Sequence, residues 1–271
     1  MPELPEVETT LRGISAHVLN TPITRITIRN PRLRWPVPDD LASLLQQQQI
    51  TKITRRAKYL LLSTDKGTII IHLGMSGSLR IVAPDTAYDK HDHVEFCFAN
   101  GNALRLKDPR RFGAVLWTHE PIDEHPLLSH LGPEPLSDKF NSELLFSLSR
   151  SKTVAIKQFI MNSKIVVGIG NIYANEALFA SGINPKRAAG KISKKRYEQL
   201  CIEIKRILEQ AISQGGTTLK DFVGGTGKPG YFKQELLVYG RKGLPCVQCQ
   251  TPLKEIRQGN RSSVYCTHCQ K

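Results

Sequence analysis

The chain has 271 residues, and its 38 Lys+Arg against 24 Asp+Glu give a formal net charge of +14 and a sequence pI near 9.6. This length favours two or more domains, and the sequence has no apolar run of about 18 residues that would predict a membrane span. The acidic start lacks an apolar secretory core, so we expect no signal peptide and a cytoplasmic protein. A folded chain this basic usually binds a polyanion, which leaves ribosomal, membrane-surface and DNA-binding roles open.

The first predicted element is a helix from about Pro5 to Ser15, within the opening MPELPEVETTLRG. Proline suits the first turn of a helix, and Glu6 and Glu8 interact favourably with its positive end. A helix start therefore accounts for these residues without any catalytic role. A proline and two carboxylates directly after the initiator methionine also suit a reactive site, but on composition alone the helix start is favoured, because helix starts are common and terminal active sites are rare.

Residues from about 23 to 118 carry the alternating pattern of β-strands. Turn signals such as DKG and ANGN separate segments spaced about 8–12 residues apart, which is typical of a sandwich or barrel. The segments are ITRITIRN, ITKITRR, KYLLLST, TIIIHL, SLRIVA, HVEFCFA, NALRLKD and AVLWTH.

From about residue 136 the pattern becomes helical. A proline-rich linker, EHPLLSHLGPEPL, precedes SDKFNSELLFSLSR, which begins with a capping residue, and IGNIYANEALFASG, which stops at a glycine. Apolar residues from Tyr197 to Ala211 recur at helical spacing, and QGG ends that helix. We therefore expect a second, mostly helical domain, followed by a glycine-rich loop in TTLKDFVGGTGKPGYFKQEL.

Four of the six cysteines form two CxxC pairs with sixteen residues between them. This spacing is typical of a four-cysteine zinc ribbon, although two disulfides or redox thiols are the alternative. The absence of a secretion signal favours zinc. Four protein ligands close the coordination sphere, so we expect one structural Zn²⁺ per chain. The predicted ligands are Cys246, Cys249, Cys266 and Cys269. Cys97 and Cys201 lie in apolar contexts and are predicted core residues.

The hairpin between the two cysteine pairs, KEIRQGNRSSV, carries Lys254, Arg257 and Arg261. Basic residues often protect an exposed edge strand from aggregation. On a chain of net charge +14 the alternative, that they bind phosphates, is favoured.

Motifs along the whole chain resemble bacterial formamidopyrimidine-DNA glycosylase. They are MPELPEVETTLRG, RRAKYLLL, HLGMSGSLR, KHDHV, DPRRFG, VGIGNIYANEALF, GGTTLKDF, GKPGYF and the final CxxC pairs. The sister family, endonuclease VIII, shares the start, the helical motif and the zinc ribbon. Its start usually reads MPEGPE, and it lacks DPRRF. Leu4 and Arg110–Phe112 therefore favour the first family.

The resemblance implies an α+β multidomain fold. We expect an N-terminal β-sandwich with flanking helices over residues 1–134, a helix–two-turn–helix domain over 135–235 and a zinc finger over 236–271. It also implies a bifunctional glycosylase and lyase of base excision repair. Such enzymes excise 8-oxoguanine and formamidopyrimidines from damaged double-stranded DNA and then nick the strand by β,δ-elimination. By the same resemblance we expect a monomer associated with the bacterial nucleoid and not with a membrane.

The resemblance assigns catalysis to Pro2, Glu3, Lys58 and Arg261. Removal of Met1 would leave Pro2 as a free secondary amine, the family's nucleophile. Generic α-amino groups have pKa values near about 7.8 against about 10.4 for lysine, so more of such an amine is neutral at physiological pH. Glu3 corresponds to the proton donor that opens the sugar ring, and Glu6 to a residue that contacts the damaged base or water. Lys58 corresponds to a lysine that holds phosphates and assists β-elimination, although alone it reads as an ordinary strand-end lysine.

The remaining expected site residues contact DNA. An enzyme that extrudes a base leaves a void, and Met75, Arg110 and Phe112 match the family's residues that fill it. His91 in KHDHV and Asn171 in GIGNIY match positions that contact DNA, and Arg261 matches an arginine that binds phosphates beside the lesion.

Two further segments, around Lys152 and over residues 217–231, are expected to contact DNA. Where the family often has a basic residue before AIK, this chain has Thr153 with Lys152 beside it, which leaves that contact open between them. The segment 217–231 aligns with the loop that covers the extruded base.

Two other functions remain possible from sequence alone. An endonuclease VIII-like specificity for oxidised pyrimidines is disfavoured by Leu4 and DPRRF. A non-catalytic zinc-ribbon DNA-binding protein is disfavoured by Pro2 and Glu3, because binding alone needs neither.

Overall fold

The structure is a computed structural model that describes residues 2–215 and 236–271. Met1 and the predicted base-covering loop, residues 217–231, lie outside the described residues. The described residues divide into two compact units, one of 2–129 with 214–215 and one of 130–213 with 236–271. The predicted division into three domains stays a prediction.

The first unit begins with helix α1, Leu4–Val18. Glu3 is the N-cap residue, and Pro5 lies in the first turn as expected. The helix continues three residues beyond the predicted end at Ser15, because Ile14 and Val18 face the hydrophobic core and are fully buried.

All eight predicted strands are present. They are β1 Ile23–Ile28, β2 Lys52–Arg56, β3 Tyr59–Thr64, β4 Gly67–His72, β5 Ser78–Val82, β6 Asp92–Phe98, β7 Ala103–Lys107 and β8 Ala114–Thr118. A short helix, α2 Leu41–Leu45, lies between β1 and β2 and was not predicted. A 3₁₀ turn, Ile122–Glu124, follows β8.

The strands form two antiparallel sheets with the orders β1-β6-β7-β5 and β2-β3-β4-β8. One core joins them, because alternate residues of both sheets point inward. Examples are Phe96 and Leu104 from the first sheet and Leu62 and Ile69 from the second. The predicted β-sandwich is confirmed.

The second unit contains α3 Ser142–Ser149, α4 Ile156–Ile160, α5 Asn171–Ala180 and α6 Lys194–Ser213, with a 3₁₀ turn at Ala189–Lys191. The predicted stripe of α6 from Tyr197 to Ala211 is buried. The prediction that the segment SDKFNSELLFSLSR begins with the capping residue was wrong. Asn141 caps α3 instead, because its Oδ1 accepts the Leu144 N–H at 3.0 Å.

A two-stranded hairpin, β9 Lys254–Gln258 and β10 Arg261–Tyr265, completes the second unit. It packs on α5 through a small apolar cluster that includes Phe179, Val238 and Val264. Within residues 2–215 and 236–271, no helix combines the length and apolarity that crossing a membrane requires.

Candidate active site and nucleic-acid interface

The first turn of α1 brings Pro2, Glu3 and Glu6 together. Glu3 and Glu6 are almost completely buried, at 1% and 2% exposure, and Pro2 is half-buried. The Glu3 N–H donates to Glu6 Oε2 at 2.8 Å, so the second carboxylate folds back over the start of the helix. The positive end of the helix favours both negative charges. The helix-start interpretation and the reactive-site interpretation thus describe the same geometry.

Lys58 lies in the tight turn between β2 and β3, where Ala57 adopts a left-handed backbone with φ of +55°. Arg55 links this turn to α1. Its Nη1 donates to the Ala57 carbonyl at 2.9 Å, and its Nε donates to Glu8 Oε2 at 3.0 Å. The helix that carries Glu3 and the turn that carries Lys58 are therefore held by one guanidinium.

His72, at the end of β4, has an unusually low pKa. Burial lowers its pKa to about 4, and the positive charges of Lys58 and Arg34 act in the same direction. The Gly74 N–H donates to His72 Nδ1 at 3.0 Å, which fits a neutral imidazole. The His72 ring is therefore neutral at neutral pH, and the positive charge of Lys58 helps to keep it so.

Met75 and Phe112, two of the predicted void-filling residues, are exposed apolar side chains, at 38% and 43% exposure. Arg110 is also exposed, and its guanidinium lies 4.8 Å from the centre of the Phe112 ring. Large apolar groups in contact with water favour an interaction surface. The predicted contact residue His91 is half-buried, with its ring edge against His93.

In the second unit, Asn171 is the first residue of α5 and follows a turn in which Gly168 has φ of +81°. Its amide Oδ1 is buried and has no hydrogen-bond partner among the described residues. Such an atom in a native structure usually meets a water or an external group. Lys152 and Thr153 are both exposed, so geometry leaves the contact open between them.

The four predicted zinc ligands converge, with all their sulfur atoms within 4.8 Å of one another. The Sγ atoms of Cys246 and Cys269 are 3.9 Å apart, and those of Cys249 and Cys266 are 3.4 Å apart. Zn–S bonds of about 2.3 Å in a tetrahedron place sulfurs about 3.8 Å apart. The donor set therefore fits Zn²⁺, and all four positions are protein ligands.

Arg261 is exposed at the start of β10, directly after the tight turn at Gly259 and Asn260. Its strand is fixed to the helices by groups that sequence reasoning did not single out. The buried Lys157 ammonium donates to Ser263 Oγ at 2.7 Å, and Asn175 Oδ1 accepts the Val264 N–H at 2.8 Å.

Glu176 is a second anchor that sequence reasoning missed. Its carboxylate accepts the N–H groups of Leu237, Val238 and Tyr239 at 2.8 to 3.0 Å. Burial raises its pKa, while these N–H groups act in the opposite direction. The sequence does contain a signal that could have identified both anchors: each is a charged residue at a core-facing position of an otherwise apolar helical segment. Glu176 lies in NEALF and Lys157 in AIK.

Comparison with known proteins gives a consistent assignment. Family models match the Formamidopyrimidine-DNA glycosylase N-terminal domain over residues 1–115, its H2TH domain over 131–223 and the zinc finger found in FPG and IleRS over 243–271. The last match identifies the four-cysteine cluster as a structural zinc site.

Curated relatives extend over the whole chain. Proteins named formamidopyrimidine-DNA glycosylase from Saccharophagus degradans and Pseudomonas syringae are 59% and 58% identical over 271 residues, covering 100% of this chain and of each relative.

Solved structures agree. The Lactococcus lactis Fpg (MutM) in complex with DNA containing N7-benzyl-Fapy-dG has a TM-score of 0.92 at 32% identity, covering 100% of both chains. The MutM (Fpg) protein of Thermus thermophilus has a TM-score of 0.88 at 32% identity, covering 99% of this chain and 98% of that one. This chain is a member of the formamidopyrimidine-DNA glycosylase family of enzymes.

Proposed function

We propose that the protein excises oxidised purines, 8-oxoguanine and formamidopyrimidines, from double-stranded DNA and then cleaves the strand at the abasic site. The observation that carries this proposal is the first turn of α1, where Pro2 lies beside two buried carboxylates. Family membership, the net charge of +14 and the DNA bound to solved relatives support it.

Pro2 acts as the nucleophile once Met1 has been removed. Its secondary amine attacks the anomeric carbon of the sugar, and the glycosidic bond breaks as the base leaves with the bonding electron pair and a proton. The resulting iminium has no N–H proton to lose, so it stays cationic. It remains an electron sink while the C2′ proton and the 3′ phosphate leave in β-elimination, and then the C4′ proton and the 5′ phosphate leave in δ-elimination.

The other catalytic residues handle protons and phosphates. Glu3 donates the proton that opens the sugar ring, and Glu6, whose carboxylate accepts the Glu3 N–H, contacts the damaged base or water. Lys58 holds a phosphate and assists β-elimination. Arg261, exposed on the zinc hairpin, clamps phosphates and assists δ-elimination.

The proposed DNA-contacting residues have two roles: some fill the space that the extruded base leaves, and others hold the DNA. Met75, Arg110 and Phe112 occupy the space of the extruded base, and the exposure of their side chains supports this role. His91 contacts the DNA.

Asn171 and Lys152 bind phosphates from the second unit, with Thr153 as the alternative to Lys152. A half-turn of the Asn171 amide offers either its donor or its acceptor at the unpartnered buried position. The cysteine site supports the hairpin that presents Arg261.

We further propose that the protein is a monomer with three domains, 1–134, 135–235 and 236–271. It acts on chromosomal DNA in the bacterial cytoplasm, in the nucleoid, because the relatives are bacterial DNA glycosylases.

Borohydride trapping on a duplex that contains 8-oxoguanine tests the proposal. We expect a covalent adduct with the trimmed protein, and mass spectrometry of the trapped peptide to place the bond on Pro2. Retention of Met1 abolishes trapping and leaves duplex affinity nearly intact. A bond on Lys58 contradicts the nucleophile assignment. Faster trapping on an oxidised-pyrimidine duplex than on 8-oxoguanine overturns the purine assignment.

A further inference from the structure

Asp108, the first residue of DPRRF, is a fully buried carboxylate at 0% exposure. Its two oxygens accept hydrogen bonds from two different loops. Oδ1 accepts the Ser76 hydroxyl at 2.9 Å and the Arg110 N–H at 3.3 Å, and Oδ2 accepts the Gly113 N–H at 2.7 Å. One loop connects β4 to β5 and carries Met75, and the other connects β7 to β8 and carries Arg110 and Phe112.

The backbone of Asp108 continues the same connection toward His91. Its N–H donates to the His91 carbonyl at 2.9 Å. Its own carbonyl interacts with His93 Nε2 at 2.9 Å and accepts the Arg111 N–H at 3.2 Å. One residue therefore contacts the two loops that carry Met75, Arg110 and Phe112 and the segment that carries His91.

The two loops also meet in close backbone contact. Gly74 has φ of +63°, and a Cβ atom there would lie 2.4 Å from the Phe112 carbonyl carbon. Arg111 adopts φ of +56°, a left-handed conformation that costs free energy for a residue with a side chain. Such a conformation persists only where surrounding contacts enforce it.

We propose that Asp108 is a positioning residue that locks these two loops into one rigid unit, so that Met75, Arg110 and Phe112 enter the DNA together. The inference rests on the proposed function. A buried carboxylate is costly to desolvate, and here that cost is offset by donors that come from both loops. An apolar side chain would fill the space, but it would leave the Gly113 N–H without its acceptor. The charge therefore specifies the relative placement of the loops.

Asp108→Asn tests this role with little change in volume. The Gly113 N–H can keep an amide oxygen as acceptor, and the Ser76 hydroxyl can turn to accept from the new NH₂. The Arg110 N–H then loses one of its two acceptors and keeps Ser76 Oγ at 3.3 Å, so we expect the fold to survive and the Arg110 segment to loosen. Ser76→Ala is the complementary variant, because it releases the Met75 loop and leaves Asp108 its contact with Gly113.

The measurement is single-turnover excision of 8-oxoguanine opposite cytosine and opposite adenine, normalised to the fraction of enzyme that borohydride traps. Recognition of the orphaned base changes the ratio of the two excision rates by about ten- to a hundredfold. We expect Asp108→Asn to reduce this ratio by about tenfold. A 2-aminopurine beside a tetrahydrofuran abasic analogue reports insertion of the loops at equilibrium, and we expect both variants to change its fluorescence.

Asp65→Asn, the same charge change at an exposed turn in the same unit, is the control and keeps the ratio and the fluorescence of wild type. If Asp108→Asn lowers only the melting temperature and leaves the ratio and the fluorescence unchanged, Asp108 has a purely structural role and the inference is wrong. If the wild-type protein itself traps on no lesion duplex, the proposed function fails and the inference fails with it.

Discussion

Arg105, in the middle of β7, offers the sharpest test of how the first unit is stabilised. Its side chain is 1% exposed and faces two carboxylates that are also 1% exposed. Its Nε lies 2.5 Å from Glu95 Oε2, and its Nη1 lies 3.7 Å from Asp92 Oδ2. Arg105→Met keeps most of the volume but removes the buried cation from both carboxylates, which then depend on the more exposed Arg80 and Arg25. Breaking a buried ion pair in this way costs about 3–5 kcal/mol.

Arg105 also holds the loop that leads to His91. Its Nη2 and Nη1 donate to the carbonyls of Thr86 and Ala87 at 2.7 and 3.1 Å, and its guanidinium lies 4.1 Å from the centre of the Tyr88 ring. The variant should therefore release the loop as well as destabilise the sheet.

Calorimetric unfolding at neutral pH measures the effect of Arg105→Met. We expect the melting temperature of the first unit to fall by roughly 6–20 °C, since each kcal/mol corresponds to a few degrees at this size. Arg12→Met is the matched control, because Arg12 pairs with Glu8 at 3.0 Å but is 61% exposed, and such surface pairs contribute about 0–1 kcal/mol. A loss for Arg105→Met no larger than that of the control would refute the reasoning.

The loss should also depend on pH. Burial raises the pKa of Glu95, but the hydrogen bonds from Tyr88 and Arg105 outweigh it and leave the pKa below the usual value. Stability from this pair is therefore present above the ordinary glutamate pKa and is lost as pH falls below it. The difference between wild type and Arg105→Met should accordingly shrink on acidification.

Three further predictions concern the site. Arg110→Ala should lose the preference for lesions opposite cytosine over adenine, worth about 1–3 kcal/mol, because a guanidinium carries only donors and fits the acceptors of orphaned cytosine; equal slowing of excision on both duplexes would contradict this. Cys249→Ser should lower zinc content below one per chain and weaken DNA affinity through the hairpin of Arg261, and a zinc-free variant that binds and nicks normally would contradict the structural role. His72→Gln should remove an acid sensitivity. The pKa of His72 is about 4 in the folded protein against 6.5 ordinarily, so the wild-type free energy of unfolding falls by on the order of 3 kcal/mol between pH 6.5 and pH 4. If the variant is the less stable protein at pH 7, urea titrations of the two proteins should converge toward pH 4.

The regular parts of the fold could be predicted because local patterns determine them. Strand alternation between turn signals identified β1 to β8, and cysteine spacing identified the zinc site before any geometry was known. The short helix α2 could not be predicted. Its five residues are too few to show helical periodicity, and they are helical because Leu41 and Leu45 complete the sandwich core.

The buried charges were missed for a related reason. Whether a charged residue is buried depends on partners that lie far away in the sequence. Asp108 and Ser76 are 32 positions apart, and Lys157 and Ser263 are 106 positions apart. Glu3 and Glu6 were identified for the opposite reason, since both their structural and their proposed chemical roles are local to one helical turn.

The way in which the zinc hairpin is attached determines how the protein tolerates insertions and deletions in the sequence before it. Asn175 of α5 holds strand β10 through the Val264 N–H, and Glu176 of α5 holds the segment 237–239 that precedes the cysteines. The Gln270 amide fixes the last residues by donating to the Ile183 carbonyl at 2.8 Å. The orientation of the hairpin is therefore set by α5 and not by the chain that arrives from α6. Insertions or deletions between residues 215 and 236 should therefore leave Arg261 where it is, and their effect on activity should arise in the segment predicted to cover the extruded base.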